Sequence, residues 1–131
     1  MEQKLIPKMK ELTKAEDQIM QILWKLEKAF VKDIVDQLPN PKPAYNTVST
    51  IVRILERKGF VGYKAYGKTH EYHPLIPKEK YTHFYLNNLV KGYFGGSFQS
   101  LVSFFASENK MDVHDIDQLV KQLRGLKKQK P

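Results

Sequence analysis

The chain contains no cysteine among its 131 residues. This absence excludes disulfide bridges, thiolate metal ligands and cysteine nucleophiles, and it is typical of a reducing compartment. No apolar run approaches the roughly 18 residues that a membrane-spanning helix requires. Residues 1–14 are polar and rich in lysine, without the apolar core of a secretory signal. We therefore expect a cytoplasmic protein with no insertion into a membrane.

The usual marks of an enzyme are also missing. There is no glycine-rich phosphate-binding loop, and no serine, histidine and aspartate occur in the order of a recognisable nucleophile turn. The spacing of His70 and His73 could suggest a metal site. However, residues i and i+3 of a strand point to opposite faces, and no cysteine or nearby aspartate completes such a site. We predict no enzymatic activity, no cofactor and no metal.

Acidic residues are scarce between residues 40 and 70. The whole chain has 22 bases against 14 acids and a net charge of +8. In this window the acid is Glu56 alone, whereas residues 11–38 hold more acids than lysines. The bases of the window are Lys42, Arg53, Arg57, Lys58, Lys64 and Lys68. Positive charge concentrated in one segment favours an anionic partner such as nucleic acid.

The same window contains an amphipathic helix. Val48, Ile51, Val52 and Leu55 recur at the spacing of a buried helical stripe, and Gly59 ends the helix. The opposite face carries short polar or cationic side chains, namely Asn46, Thr47, Ser49, Thr50, Arg53 and Arg57. Such a face is suited to the DNA major groove, where arginine can pair with guanine edges. The alternative is an ordinary surface helix with solvated charges.

A short basic hairpin follows this helix. Residues 60–66 predict a strand, Gly67 and Lys68 a turn, and residues 69–73 a second strand that Pro74 ends. Lys64 and Lys68 flank Gly67 at the tip, where they can contact phosphates. A helix followed by a hairpin is typical of winged helix-turn-helix domains. The alternative is a small sheet edge in another α+β fold.

Two further helices precede these elements. Thr13 and Glu16 predict a capping box at the start of the first helix. A short second helix ends at Pro39, and the third begins at Ala44 or Tyr45. The predicted fold class is mainly α (α+β), with a winged helix-turn-helix DNA-binding domain at residues 1–76 and a helical dimerisation domain after it.

Residues 77–131 predict three helices with many apolar side chains. A second apolar helix covers 97–106, and helix 78–93 carries apolar residues that we expect to be exposed on more than one side, namely Tyr81, Phe84, Tyr85, Leu86, Leu89 and Val90. So small a segment can hardly bury these residues alone, whereas a symmetric homodimer would bury them. The predicted interface residues are Leu101, Phe105, Leu119 and Leu123. The alternative is that these helices fold back on the winged helix.

The pattern resembles the penicillinase-repressor (BlaI/MecI) family of bacterial winged-helix repressors. The resemblance covers nearly the whole chain and is carried by Leu12-Thr13-x-Ala15-Glu16 with Ile22-Leu23-Trp24, Asn46-Thr47-Val48-Ser49-Thr50 through Lys58-Gly59-Phe60, Tyr72-x-Pro74-Leu75, and Gly95-Gly96-Ser97-Phe98-x-Ser100-Leu101. It implies a homodimeric transcriptional repressor of β-lactam-resistance genes, bound to a palindromic operator. Thr47 and Thr50 match family positions that contact DNA, whereas Arg53 follows from helical spacing.

The resemblance also implies inactivation by proteolysis of the dimerisation domain, triggered by a membrane sensor-linked protease. Family members are cut at an Asn-Phe bond, and the matching bond here is Phe104-Phe105. Two adjacent phenylalanines are otherwise typical of a core. A copper-responsive branch of the family has paired cysteines near its C-terminus, so their absence excludes that route of metal control. A different class of function is a winged helix that binds an acidic protein partner.

Overall fold

The computed structural model describes residues 9–109 and 111–129, with side chains as far as residue 122. The chain divides into two compact units, Met1–His83 and Phe84–Pro131. The first unit contains α1 (Lys14–Leu26), β1 (Ala29–Phe30), α2 (Val31–Gln37), α3 (Tyr45–Arg57), β2 (Val61–Tyr66), β3 (Thr69–Pro74) and the first turns of α4 (Lys78–Tyr93). The second contains the rest of α4, then α5 (Phe98–Glu108) and α6 (Val113–Gln129).

The first helix begins at the predicted capping box. The Glu16 amide donates to Thr13 Oγ1 at 3.2 Å, and the Thr13 amide donates to Glu16 Oε1 at 3.0 Å. These two bonds satisfy amides that the start of a helix leaves without partners. The inner face of α1 then buries Ile19, Met20 and Leu23. The predicted first helix and its cap are therefore confirmed.

The turn between α2 and α3 contains three prolines, which keep the segment from becoming helical. Lys42 Nζ donates to the carbonyls of Asp36 at 2.9 Å and Leu38 at 2.7 Å, so the lysine closes the end of α2. Positive charge at a helix C-terminus is favourable because the last carbonyls have no partners within the helix. The third helix then begins at Tyr45, as predicted.

Gly59 turns the chain from α3 into the sheet. Its φ of 84° lies in the left-handed region, which glycine adopts without a steric penalty. Phe60, directly after it, is fully buried and starts the hairpin. The three strands are antiparallel in the order β1-β3-β2. The hairpin was predicted, but β1 was not, because two residues are too few to show an alternating pattern.

Tyr81, in the first turn of α4, belongs to the core of the first unit. It is only 7% exposed, and its ring lies 6.0 Å from that of Trp24 and 5.7 Å from that of Phe60. Its hydroxyl accepts a 2.8 Å hydrogen bond from the Leu12 amide. The expectation that Tyr81 and Val90 are exposed was wrong, because Val90 is only 3% exposed as well. The structure divides after His83, whereas the sequence boundary lies at 76/77.

The second unit has the predicted helices with slightly different ends. Gly95 and Gly96 have φ values of 59° and 83° and separate α4 from α5. The Ser97 hydroxyl accepts a bond from the Ser100 amide at 3.1 Å, and α5 runs on to Glu108. Asp112 Oδ1 accepts from the Asp115 amide at 2.9 Å at the start of α6. Across the described residues, no helix combines the length and apolar character needed to cross a membrane.

Candidate nucleic-acid interface

The two faces of α3 differ in the way that the sequence predicts. Val48, Val52 and Leu55 are buried against the rest of the first unit, and Ile51 is partly covered. The predicted polar residues lie outside this stripe. Asn46, Thr47, Thr50, Arg53 and Arg57 are exposed, and Ser49 is half-buried. The helix therefore presents amide, hydroxyl and guanidinium groups from a rigid, packed support.

Two of these side chains are held by bonds along the helix. Arg53 Nη2 donates to Ser49 Oγ at 3.1 Å, one turn earlier. The Thr50 hydroxyl donates to the Asn46 carbonyl at 2.9 Å. A serine or threonine oxygen still has lone pairs to accept further bonds, and a guanidinium has five donors. Arg53 and Thr50 thus keep bonding capacity for a ligand while their directions are fixed.

The beginning of α3 favours an anion. Ala44, at the N-cap, supplies no side-chain hydrogen bond to the first turn, and that turn contains no acidic residue. The N-terminal end of a helix carries a partial positive charge from its amides. Phosphate oxygens are natural partners for such a helix end. Asn46 and Thr47 occupy this turn, so their backbone and side-chain groups lie close together.

The hairpin carries the other two predicted cations. Lys64 and Lys68 are exposed, and Gly67, with φ 65°, makes the turn between the strands. Lys68 lies in this turn as predicted, whereas Lys64 lies within β2 and not at the tip. Lys64 Nζ lies 5.3 Å from the centre of the Tyr66 ring, close enough for a cation–π contact. Tyr66 in turn lies 5.8 Å from the Phe30 ring of β1. The short strand that sequence reasoning missed therefore supports the basic hairpin from one side.

Two of the six bases in the predicted basic window have structural partners instead. Lys42 caps α2, as described above. Lys58 Nζ donates to both carboxylate oxygens of Glu16, at 2.8 and 3.0 Å. The four other bases, Arg53, Arg57, Lys64 and Lys68, are exposed and coincide with the predicted DNA-contacting cations. Fewer positive charges of this window are therefore available to an anionic partner than the sequence indicates.

The Glu16–Lys58 ion pair joins the start of α1 to the end of α3. The Glu16 side chain is 6% exposed and that of Lys58 31% exposed. Burial alone would raise the pKa of the Glu16 carboxyl, but hydrogen bonds from Lys58 and from the Thr13 amide outweigh it. The pKa therefore lies below its ordinary value. Glu16 serves both as a cap and as an ion-pair partner, and its sequence pattern reveals only the first role.

A cleft of about 270 Å³ lies between α3 and the hairpin. Its charged lining residues are Arg53 and Glu56 from α3 and Lys68 from the hairpin turn, and its aromatic ones include Tyr45, Tyr63, His70 and Tyr72. The rings of Tyr63 and His70 stack at 4.0 Å with an interplanar angle of 6°. Burial, followed by the nearby Glu56 carboxylate, raises the pKa of the Tyr72 phenol. Sequence reasoning did not identify this cleft, because its residues come from separate elements.

The two histidines of the hairpin lie in different surroundings. His70 stacks on Tyr63, whereas the His73 ring lies over Gly62, where an added Cβ would come within 3.1 Å of Nε2. Within residues 9–109 and 111–129, no three histidine, aspartate or glutamate side chains are grouped so as to hold a metal ion.

The predicted interface and cleavage residues lie in the second unit. Phe104 and Phe105 are 56% and 54% exposed, and Leu101 and Leu119 are half-buried. The Phe104 ring lies 5.7 Å from that of Phe94. The side chain of Leu123 is not among those that the structure describes, which end at residue 122. In a single chain, the two phenylalanines are therefore not core residues.

Comparison with known proteins gives consistent results. A family model described as penicillinase repressor matches residues 12–125. Methicillin resistance regulatory protein MecI of Staphylococcus aureus (strain N315) is 26% identical over 110 residues, which cover 83% of this chain and 89% of that protein. The penicillinase repressor of Bacillus licheniformis is 21% identical over 124 residues, or 94% and 97% of the two chains.

A solved structure resembles a large part of this chain. The solution structure of the DNA-binding domain of the repressor BlaI aligns with a TM-score of 0.50 and 22% identity, covering 57% of this chain and 93% of that domain. This likeness confirms the predicted winged-helix fold. Because the family model extends over most of both units, the chain belongs to the penicillinase-repressor family of transcriptional repressors.

Proposed function

We propose that the protein is a homodimeric transcriptional repressor that reads a palindromic DNA operator with α3. The observation that carries the proposal is the exposed polar face of α3 beside the basic hairpin. The four bases of the 40–70 window that neither cap a helix C-terminus nor form an ion pair with Glu16 lie on these two elements. The relatives MecI and BlaI are named as a regulatory protein and a repressor with a DNA-binding domain.

The roles of the contacts follow from their chemistry. Arg53 and Arg57 can form paired hydrogen bonds with guanine, while Asn46, Thr47, Ser49 and Thr50 can bond to bases or phosphates. Lys68 is a point charge at the hairpin turn and Lys64 is one within β2, and both suit phosphates. Base contacts supply sequence preference, whereas lysine–phosphate contacts supply affinity that depends on salt. The two kinds of contact can therefore be separated experimentally.

The second unit supports the homodimer. Its exposed apolar side chains include Phe98, Phe104 and Phe105, each more than half exposed in one chain. A second copy packed symmetrically on Leu101, Phe105, Leu119 and Leu123 would cover apolar surface of this kind. The α3 helices of the two protomers then bind two half-sites of the operator. Once the first α3 is bound, the second is held at a high effective concentration near its half-site.

The names of the relatives suggest what is repressed and how repression ends. MecI is a methicillin resistance regulator, and the Bacillus relative is a penicillinase repressor. By this similarity we propose that the operator controls β-lactam-resistance genes. We also propose that a membrane sensor-linked protease cuts at Phe104-Phe105, in the exposed middle of α5. Because such a repressor acts where the DNA is, its location is the cytoplasm.

The experiment is selection of bound fragments from genomic DNA, followed by fluorescence anisotropy on the selected sequence and on a scrambled one. Arg53→Ala should weaken the specific complex by about 1–3 kcal/mol at each half-site and affect the scrambled DNA much less. Lys25→Ala, an exposed lysine of α1, is the control and should leave the sequence ratio unchanged.

Equal affinity for selected and scrambled DNA would contradict operator recognition. It would favour the alternative in which the basic face binds an acidic protein.

A further inference from the structure

The cleft between α3 and the hairpin has the composition of a ligand site. Its volume of about 270 Å³ is slightly below the range for drug-sized ligand pockets, which begins at about 300 Å³. It combines aromatic walls with a few charged groups, and such groups usually orient a ligand. Its size limits the occupant to a small molecule.

The aromatic part of the cleft is flat and fixed. Tyr63 and His70 stack almost parallel across the two strands, and Tyr72, next to both rings, is only 4% exposed. A planar ring loses little conformational entropy when it binds to such an aromatic surface, because neither partner must be ordered first. This wall therefore favours an aromatic ligand over an aliphatic one of the same size.

The charged part of the cleft favours an anion. Arg53 and Lys68 line it from opposite sides, one from α3 and one from the hairpin turn, against the single acid Glu56. Arg53 is already directed by its bond to Ser49. A carboxylate can accept from a guanidinium and an ammonium together, whereas Glu56 can accept a bond from a ligand donor.

We propose that this cleft is a regulatory site for a small planar aromatic carboxylate. Arg53 and Lys68 bind the carboxylate, and the ring packs on the Tyr63–His70 pair. The regulatory half of this inference rests on the proposed function, because the same two cations are proposed to contact DNA. A bound carboxylate occupies them and lowers the affinity for the operator.

Ligand binding is measured on the DNA-free, full-length protein, so its outcome does not depend on operator recognition. Isotope-labelled protein is titrated at constant ionic strength with sodium benzoate, with sodium cyclohexanecarboxylate and with neutral benzyl alcohol. Binding is followed by the chemical shifts of the backbone amides in NMR spectra. For a molecule of this size the expected benzoate Kd is about millimolar. Shifts should centre on the amides of β2, β3 and α3, and the two comparison compounds should bind at least about threefold more weakly.

Matched variants locate the site. Tyr63→Leu removes the stacking wall and should weaken benzoate binding by about three- to tenfold, whereas Tyr66→Leu, on the other face of β2, should not. Lys68→Ala, at an exposed turn that keeps the fold intact, should weaken it by about threefold, and Lys14→Ala on α1 should not.

The proposal is overturned if benzoate shows no saturable shifts up to about ten times the expected Kd. It is equally overturned if the benzoate Kd is the same in Tyr63→Leu and in Lys68→Ala as in the wild type.

The DNA arm tests regulation separately. With benzoate at about ten times its Kd, the dimer's operator complex should weaken by about a hundredfold relative to an equal concentration of sodium chloride, because the two ligands exclude each other and each of the two clefts contributes about tenfold. Saturable benzoate binding with unchanged operator affinity overturns the regulatory role. A protein that binds benzoate but no specific DNA refutes the proposed function and leaves the site standing.

Discussion

Lys58 lies in a basic segment of the sequence, but its role in the structure is an ion pair that the sequence does not indicate. Within a basic window it suggests a free cation, but its partner Glu16 is 42 positions away in the chain. No local spacing indicates such a pair. A carboxylate that is 6% exposed needs its countercharge, because an unpaired buried charge is costly. We therefore assign Lys58 to stability and not to DNA.

Removing this lysine should destabilise the protein. Lys58→Met keeps much of the side-chain volume but leaves the Glu16 carboxylate without its ammonium. The free energy of unfolding at neutral pH should fall by about 1–3 kcal/mol, as judged by urea denaturation. Lys14→Met, an exposed lysine next to the cap, is the control and should change it by less than about 0.5 kcal/mol. Equal effects would show that the pair contributes nothing.

The same pair predicts a dependence of stability on pH. Because the pKa of Glu16 is lowered in the folded protein, its contribution is complete above the unfolded pKa of about 4.3. It is lost as the pH falls through the lower, folded pKa. Wild-type stability should therefore decline in this acid range, and Lys58→Met should decline less. Parallel acid profiles of the two proteins would contradict this assignment.

Gly59 makes a second prediction at the residue scale. Its φ of 84° is costly for any residue with a Cβ. Gly59→Ala should lower the free energy of unfolding by about 1–2 kcal/mol. Gly59→Asn should lose less, since asparagine tolerates this conformation better than alanine. Equal losses for the two variants in urea denaturation would mean that packing and not backbone conformation decides the cost.

At the scale of elements, the periodicity of apolar residues predicted the helix and the hairpin, whereas the two-residue strand β1 was missed. The stripe of α3 and the alternation of the hairpin repeat often enough to identify both elements. Ala29 and Phe30 form a strand only because they pair with Tyr72 and Glu71 of β3. Nothing in two residues indicates this partner. The predicted reading face of α3 is exposed as expected, although its contacts with DNA stay a prediction.

The hairpin gives a prediction that belongs to a whole element. Replacing Lys64 and Lys68 together with alanine should weaken specific and non-specific DNA binding alike. The slope of log affinity against log salt should fall by about two units per protomer, or about four for the bound dimer, one for each lost phosphate contact. The matched control replaces Lys14 and Lys25 of α1. Loss at the specific site alone, with the slope unchanged, would instead make these lysines base-reading groups.

At the scale of the whole molecule, the family assignment confirms the prediction that the chain is not an enzyme, because the family consists of transcriptional repressors. The domain boundary was harder to predict. Tyr81 is one aromatic residue among several in α4, and the sequence gives no reason to assign it to the first unit. Only its contacts with Trp24 and Phe60 do so.

The contacts of Tyr81 with the core predict where the chain can be truncated to leave a stable DNA-binding fragment. A fragment that ends at His83 should fold and be monomeric in sedimentation, whereas one that ends at Pro77 lacks Tyr81 and should be less stable by about 3 kcal/mol. Tyr81→Phe in the longer fragment keeps the ring and should cost only about 1 kcal/mol. Equal stability of both fragments would contradict the role of Tyr81. A monomeric full-length chain would contradict the dimer.

The place of Tyr81 has a consequence for induction. A cut at Phe104-Phe105 lies beyond every residue of the first unit, so it leaves that unit's core and its reading helix intact. If the proposed cleavage occurs, the product would be a folded monomer with weaker affinity for DNA and not an unfolded chain. Its occupancy of a half-site depends on its concentration. Full expression of the repressed genes would therefore wait on clearance of the fragment, and its lifetime in the cell would set how quickly and how completely the response develops.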